Sequence, residues 1–188
     1  MVELLEQFGA VKAGQLLPLG RLVAGLRHDN ELLAAQVIER GILADTTPAE
    51  ASALCSCLIE ESRSGDPGVV RLFLGRRPKL KKKLRQIESA AESILQSQRV
   101  HRLTMPCSVH PGFMPSVFRW ASGDDDWTRI VEESFGGHEG DLIRAMRRLI
   151  DLLRQLAESS EVPLELATLL GRAARTIDRG IVLESALI

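Results

Sequence analysis

The sequence predicts an all-α fold, a compact and irregular helical bundle, and two observations lead to that prediction. Hydrophobic residues make up 45% of the 188 residues and charged residues 26%, a balance typical of a globular chain and not of a disordered one. Helix-favouring Leu, Ala, Arg and Glu are abundant, and alternating strand patterns are scarce. The length fits one domain, or one domain with a fragment of its neighbour.

The first 28 residues differ from the rest of the chain. A short helical stretch at Val2–Gln7 is followed by Gly9 and Gly14, which flank a short strand or hairpin. A hairpin beside one helix has too little apolar surface to fold alone. We therefore expect residues 1–28 to be the tail of a preceding domain and residues 29–188 to form the helical domain.

Start and stop signals divide residues 29–188 into helices. Thr47-Pro48-Ala49-Glu50 is a capping box with proline at the first helical position, so a helix begins there. We expect it to end near residues 62–65, with a loop at Asp66-Pro67-Gly68. The other predicted helices cover residues 30–40, 76–99, 113–122, 127–134, 139–157 and 162–179.

The longest regular amphipathic stretch is Glu139–Ala157. Its apolar stripe, expected to face the core, consists of Leu142, Met146, Leu149, Leu153 and Leu156. The opposite side carries Arg144, Arg147 and Arg148. Like charges this close repel by roughly 0.2–0.5 kcal/mol per pair, so such a cluster usually has an anionic partner. The alternative is a solvated face on which Arg147 pairs with Asp151.

A second basic feature is the segment 76–85, with seven positive charges in ten residues. Lys79, Lys82 and Lys83 are its candidate phosphate contacts, and each contact would add both affinity and salt dependence. The alternative is a solvated helix start. Glu61 and Arg63, after the capping-box helix, either line a nucleic-acid channel or are ordinary surface residues. Trp120 and Trp127 either stack on unpaired bases or pack in the core.

The sequence lacks the common motifs of catalytic and metal sites. It has no G-x-x-x-x-G-K-[ST] phosphate loop, no G-x-G-x-x-G and no H-E-x-x-H. Cys55 and Cys57 have no second ligand pair for a tetrahedral metal, so we expect them to pack in the core. Asp124-Asp125-Asp126 precedes a helix and is expected to cap it. We therefore predict no catalytic residue, metal or cofactor in this chain.

Charge and hydropathy also bear on location. The net charge is −1, so binding to nucleic acid would depend on local patches. No apolar run approaches the roughly 18 residues of a membrane span, and the N-terminus lacks a secretory signal. Three cysteines argue against a disulfide framework. We expect an intracellular, soluble protein without membrane contact.

Four segments resemble one family. The first is the segment Glu139-Gly140-Asp141-Leu142-Ile143-Arg144-Ala145-Met146-Arg147-Arg148-Leu149. It resembles the E-G-[SD]-L-[IV]-R-x-x-[KR]-R-L motif of the DSHCT domain, which ends superkiller-type and exosome-associated DExH-box RNA helicases. Residues 54–61 resemble its early helix and residues 118–123 its aromatic-x-W-x-x-G turn. Residues 179–182 resemble its R-D-I-V ending, with Gly180 in place of aspartate.

Two further segments refine the resemblance. Residues 17–21 resemble the T-P-L-G stretch that leaves an upstream winged-helix domain. Residues 150–153 and the short link between the last two helices are most similar to the cyanobacterial and plastid branch. This branch implies a cyanobacterial cytoplasm or a plastid stroma as the location.

The resemblance also implies a function. In this family the helix matching Glu139–Ala157, called the ratchet helix, lines a channel for single-stranded RNA, and the domain packs over the motor lobes of the same polypeptide. Arg148, and with it Arg144, would face the RNA, and an acidic residue near Glu61 would touch it. ATP and magnesium would belong to the motor lobes, outside this chain. RNA-processing proteins would be further partners.

One alternative of a different class stays open from the sequence. A helical scaffold could use its Arg144–Arg148 face to bind an acidic protein partner without contacting RNA. The two hypotheses differ in salt dependence, because RNA binding weakens steeply as salt rises and tolerates any base sequence.

Overall fold

The computed structural model describes residues 2–59 and 65–183, and it confirms the all-α prediction. These residues form ten α-helices, one small hairpin and two 3₁₀ turns. The helices are α1 (Val2–Gln7), α2 (Pro18–Gly25), α3 (Glu31–Glu39), α4 (Pro48–Ser56), α5 (Pro67–Gly75), α6 (Pro78–His101), α7 (Met114–Ala121), α8 (Trp127–Phe135), α9 (Glu139–Glu158) and α10 (Leu164–Ile177). The strands are β1 (Val11–Lys12) and β2 (Gln15–Leu16), and the 3₁₀ turns are Pro111–Phe113 and Gly180–Val182.

The hairpin expected near the N-terminus is present and leads directly into α2. Its strands pair antiparallel, with Val11 opposite Leu16. Pro18 is the first residue of α2, a position where its missing N–H costs nothing. Gly20 lets α2 approach the hairpin closely, since a Cβ there would lie 2.0 Å from the carbonyl oxygen of Ala10.

The capping box of α4 is confirmed, but the predicted end of that helix is wrong. The Thr47 hydroxyl accepts from the Glu50 N–H at 3.2 Å, and the Glu50 carboxylate accepts from the Thr47 N–H at 2.8 Å. The helix ends at Ser56. The Cys57 carbonyl, which a longer helix would use internally, accepts from the His110 N–H at 2.7 Å. This long-range bond turns the chain out of the helix.

The loop predicted at residues 66–68 is wrong as well, because these residues begin α5. The Asp66 carboxylate accepts from the Gly68 N–H at 2.6 Å, and Pro67 occupies the first helical position. Aspartate followed by proline is a helix start as well as a turn signal. A helix is favoured over a turn here because it buries three apolar side chains, those of Val70, Phe73 and Leu74.

The basic segment opens α6, the longest helix at 24 residues. Leu80, Leu84, Ile87 and Ile94 form its buried face, as the helical spacing predicts. Its exposed face is strongly charged. Within the described residues no helix combines the length and apolar character needed to cross a bilayer.

Helix α4 lies at the centre of the bundle. Its residues from Ala51 to Ser56 are all buried, and it packs against α6, α7, α9 and α10. Leu4, Leu19 and Leu22 from the first 28 residues join the same core. The proposed domain boundary at residue 28 stays a prediction.

Candidate nucleic-acid interface

The buried face of α9 fixes the position of its arginines. Leu142, Met146, Leu149 and Leu153 are each 0% exposed, which confirms the predicted apolar stripe. Burying a leucine-sized side chain contributes about 1.5–3 kcal/mol, so four of them hold the helix firmly against α4, α8 and α10. The polar side of α9 therefore projects from a rigid support.

Arg144 and Arg148 lie on the same side of α9, four residues apart. A guanidinium nitrogen of Arg144 lies 3.2 Å from an Asp141 carboxylate oxygen, one turn earlier. A guanidinium nitrogen of Arg148 lies 2.8 Å from an Asp29 carboxylate oxygen, in the segment before α3. The Arg144 side chain is 58% exposed and that of Arg148 is 35% exposed. Both groups can reach a ligand in solvent while neighbouring acids restrict their motion.

Arg147 lies on a different side of the helix. At about 100° per residue it is rotated by about 100° from Arg148. Its Nε donates to the carbonyl of Val182 at 3.4 Å, in the C-terminal 3₁₀ turn. The structure thus brings Arg144 and Arg148 together and directs Arg147 towards the C-terminal segment. Its predicted RNA contact stays a prediction.

Residues 27–30, here called the 27–30 loop, border the polar side of α9. The Arg27 N–H donates to the Gln155 side-chain oxygen at 2.6 Å. The Asn30 side chain is buried and donates to the Ser108 carbonyl at 2.6 Å, which ties the loop to the bundle. Sequence reasoning missed this loop because its contacts with α9 span more than 100 residues of chain.

His28 is the half-buried member of that loop. Its Nδ1 accepts from the Asn30 N–H at 3.0 Å. Burial lowers the pKa of His28, and the positive charge of Arg148 lowers it further, while Asp29 and Asp151 act in the opposite direction. A neutral imidazole is therefore favoured beside Arg148, so His28 adds no competing positive charge there.

Beyond Arg148 the polar side of α9 runs into an open cleft of about 680 Å³ between α2 and α9. Three carboxylates and two arginines line it, together with Gln155. The charged lining residues are Asp151, Glu158, Glu161, Arg21 and Arg27. Arg21 and Glu161 form a two-point ion pair at 2.7 and 2.9 Å. The positive charge of the α9 side is therefore concentrated at Arg144 and Arg148 and is diluted towards the C-terminal end of the helix.

Two of the three lysines predicted to contact phosphates make contacts within the chain. The Lys83 ammonium donates to the carbonyls of Ile42 at 2.6 Å and Ala44 at 2.8 Å. Lys79 donates to the carbonyl of Asp45 and lies 3.4 Å from the Glu50 carboxylate. These bonds fasten α6 to the turn after α3.

Lys82 is exposed at the surface of α6. It forms no ion pair with the carboxylates of residues 2–59 and 65–183. Phosphate contacts by all three lysines stay a prediction, and those of Lys79 and Lys83 would compete with the bonds to the turn. Glu61 and Arg63 lie outside the described residues.

The three consecutive aspartates have separate structural roles. The Asp126 carboxylate accepts from the Arg129 N–H at 3.1 Å and caps α8, as predicted. Asp124 accepts from Arg119 at 2.9 Å, a bond that lowers the pKa of Asp124, and Asp125 pairs with Arg179. The described residues contain no group of three or more His, Cys, Asp or Glu side chains placed to hold a metal.

The two neighbouring cysteines are core residues. Cys55 is 1% exposed and Cys57 is 0% exposed. Burial raises the pKa of Cys55 to about 12, and it raises that of Cys57 as well. Both thiols therefore stay protonated at neutral pH, which is the inert form of a packed cysteine.

The sequence matches the DSHCT (NUC185) domain family over residues 13–185. The chain belongs to the DSHCT family. This match begins between the two strands of the hairpin and covers β2, α2 to α10 and the C-terminal 3₁₀ turn.

Several relatives of this DSHCT domain are helicases. The chain is 29% identical to the DExH-box ATP-dependent RNA helicase DExH15, chloroplastic, of Arabidopsis thaliana, over 91% of the chain and 14% of that protein. It is 28% identical to the probable helicase HelY of Mycobacterium tuberculosis, over 87% of the chain and 18% of that protein. It is 27% identical to the exosome RNA helicase MTR4 of Homo sapiens, over 97% of the chain and 18% of that protein. The chain thus spans less than a fifth of the length of these relatives.

One contact joins two of the segments through which the sequence resembles the DSHCT domain. The guanidinium of Arg179 lies 3.7 Å from the centroid of the Trp120 ring and donates to the carbonyls of Trp120 at 2.7 Å and Asp124 at 3.0 Å. The Trp120 indole N–H donates to the Ile177 carbonyl at 2.9 Å. Trp120 is 3% exposed, so it packs in the core and is not available to stack on bases.

The departure from the family pattern at residue 180 has a local cause. Gly180 has a φ of +53°, and a Cβ there would lie 3.1 Å from the Trp120 ring. Glycine adopts this conformation without strain, whereas a side chain would crowd the indole. Glycine at position 180 therefore lets the backbone pass close to the Trp120 ring, on which Arg179 stacks.

Proposed function

We propose that this chain is the C-terminal helical domain of an ATP-dependent RNA helicase, and that it guides single-stranded RNA along α9. The observation that carries the proposal is the pair Arg144 and Arg148, which lie on one exposed side of a helix anchored by buried residues. Membership of the DSHCT family and the helicase relatives support it. The domain would accompany motor lobes that bind ATP and magnesium, in a protein that processes or degrades RNA.

The chemistry of the site suits a moving strand. Arginine contacts phosphates through a planar fork of donors and also stacks on bases, and neither contact depends on base identity. Two arginines with acids beside them give weak contacts, because each phosphate must compete with a carboxylate. A translocating helicase needs contacts that form and break repeatedly, so this weakness fits the function.

The position of the helix matters as much as its charges. The chain itself carries no phosphate-loop motif, so α9 would supply guidance and not ATP hydrolysis. The cleft beyond Arg148 is lined by three carboxylates and two arginines and would bind RNA less strongly. We therefore place the main contact at the N-terminal half of α9. The cyanobacterial or plastid origin stays a prediction.

The test is a salt series with fluorescently labelled oligouridylate, followed by anisotropy. Wild-type chain should bind weakly at low salt, and affinity should fall as salt rises. The double variant Arg144→Ala/Arg148→Ala should lose most of this affinity and about 1.4 units of the log–log salt slope, because two phosphate contacts are removed from a single strand.

The matched control is Arg172→Ala/Arg175→Ala, which removes two exposed arginines from α10. It loses the same amount of positive charge as the α9 variant, but its two arginines lie outside the α9 site. It should therefore bind RNA like wild type. Equal binding by the α9 variant and wild type would contradict the proposal. Selective capture of one acidic protein without oligouridylate binding would favour the scaffold alternative.

A further inference from the structure

A second basic feature lies on α6, away from the polar side of α9. An open groove of about 570 Å³ runs between α6 and the turn that follows α3. Among the described residues, four cationic side chains line it and no carboxylate does. The cationic residues are Arg40, Lys81, Lys82 and Arg85. A local charge of +4 in a chain of net charge −1 marks this groove as a site for an anion.

These cations are available to a ligand. Lys81, Lys82 and Arg85 are exposed, and they form no ion pair with a carboxylate within residues 2–59 and 65–183. Lys79 and Lys83, by contrast, point to the turn and are bonded there. The basic segment therefore divides into a structural half and a half that faces solvent.

The groove is also partly organised in advance. The Nε of Arg40 donates to the Gln36 side-chain oxygen at 2.9 Å, which orients the guanidinium at the rim. The bonds of Lys83 to the carbonyls of Ile42 and Ala44 hold the turn against α6. The spacing between Arg40 and the α6 cations is thus set by the fold.

The lining favours a phosphate backbone over a protein segment. Protein partners gain most of their affinity from apolar and aromatic side chains in fitted pockets. Within the part of the chain that the structure describes, the groove offers Ile42 and Pro78 as its apolar residues and no aromatic ring. Phosphate binding requires only positive charge at suitable spacing, which the groove supplies.

Helix α3 connects this groove with the α9 site. Asp29, which pairs with Arg148, lies just before the start of α3, and Arg40 lies just after its end. At 1.5 Å per residue the nine residues of α3 that separate the two positions span about 14 Å along the helix axis. This distance is short enough for one extended strand to contact both sites.

We infer that the groove formed by Arg40, Lys81, Lys82 and Arg85 is a second nucleic-acid site, which binds the phosphates of a single strand outside the α9 contact. The inference takes its ligand from the proposed function and adds a separate surface to it. The groove holds the strand by charge alone, so binding there is independent of base sequence. It lengthens the path along which the domain guides RNA.

The experiment uses the whole 188-residue chain and labelled oligouridylate in the same anisotropy assay. The variant Lys82→Gln/Arg85→Gln should weaken binding by about tenfold at low salt and reduce the log–log salt slope by about 1.4. The control Arg99→Gln/Arg172→Gln neutralises two exposed arginines far from the groove and should bind like wild type. Thermal melting of both variants should match wild type, because all four side chains lie at the surface.

The outcomes separate this inference from the proposed function. If the α9 variant loses affinity and the groove variant does not, the inference is overturned while the proposed function stands. If only the groove variant loses affinity, the groove is the main site and the α9 proposal fails. The inference is overturned if the wild-type chain does not bind oligouridylate. It is also overturned if the groove binds polyglutamate and does not bind RNA.

Discussion

Replacing Arg179 by alanine tests how the C-terminal turn is held to the core. The guanidinium stacks on Trp120 and donates to two carbonyls, at 2.7 and 3.0 Å. The stacking contributes about 0.5–2 kcal/mol, and each hydrogen bond from a charged donor contributes about 1.5–3 kcal/mol when fully buried. The Arg179 side chain is 29% exposed, so in the variant water replaces part of the lost hydrogen bonding. We expect a loss of about 2–4 kcal/mol in the free energy of unfolding.

The assay is urea unfolding followed by tryptophan fluorescence, with thermal melting as a second measurement. A loss of this size corresponds to a Tm lower by roughly 4–16 °C in a domain of this length. Arg179→Lys keeps the charge but not the planar fork, so it should be intermediate. The control Arg172→Ala should change stability by less than about 0.5 kcal/mol. A loss for Arg179→Ala no larger than for this control would refute the reasoning.

Two further variants test contacts around the two basic sites. Asp29→Asn removes the carboxylate beside Arg148, and an exposed pair of this kind is worth about 0.2–1 kcal/mol, so oligouridylate affinity in the anisotropy assay should rise about 1.5- to 5-fold. Unchanged or weaker binding would contradict this. Lys83→Ala removes two bonds to carbonyls and should lower the free energy of unfolding by about 1–2 kcal/mol in urea. Lys82→Ala is its control and should unfold like wild type. Equal stability of both variants would show that the turn does not need Lys83.

Local chemistry made much of the fold predictable. The capping box at Thr47 and the apolar stripe of α9 are both present as the sequence predicts, because each depends on residues within one helix. The end of α4 depends on a hydrogen bond between Cys57 and His110, 53 residues away, so helix propensity could not show it. The start of α5 was missed because aspartate and proline begin both turns and helices.

The candidate site was predictable only in part. The spacing of Arg144 and Arg148 placed both on one side of a helix, and the structure agrees. Their acidic neighbour Asp29 lies 119 residues from Arg148, so periodicity carried no signal for it. The division of the basic segment was hidden for the same reason, because Lys83 is engaged by a turn about 40 residues earlier in the chain.

Cross-linking tests the central claim most directly. Oligouridylate containing 4-thiouridine would be bound to the chain, irradiated and digested, and the attached peptides would be identified by mass spectrometry. If α9 guides RNA, cross-links should occur in peptides from its N-terminal half around Arg144 and Arg148, and should diminish in the double alanine variant. Cross-links confined to other surfaces, with none on α9, would contradict the proposed function.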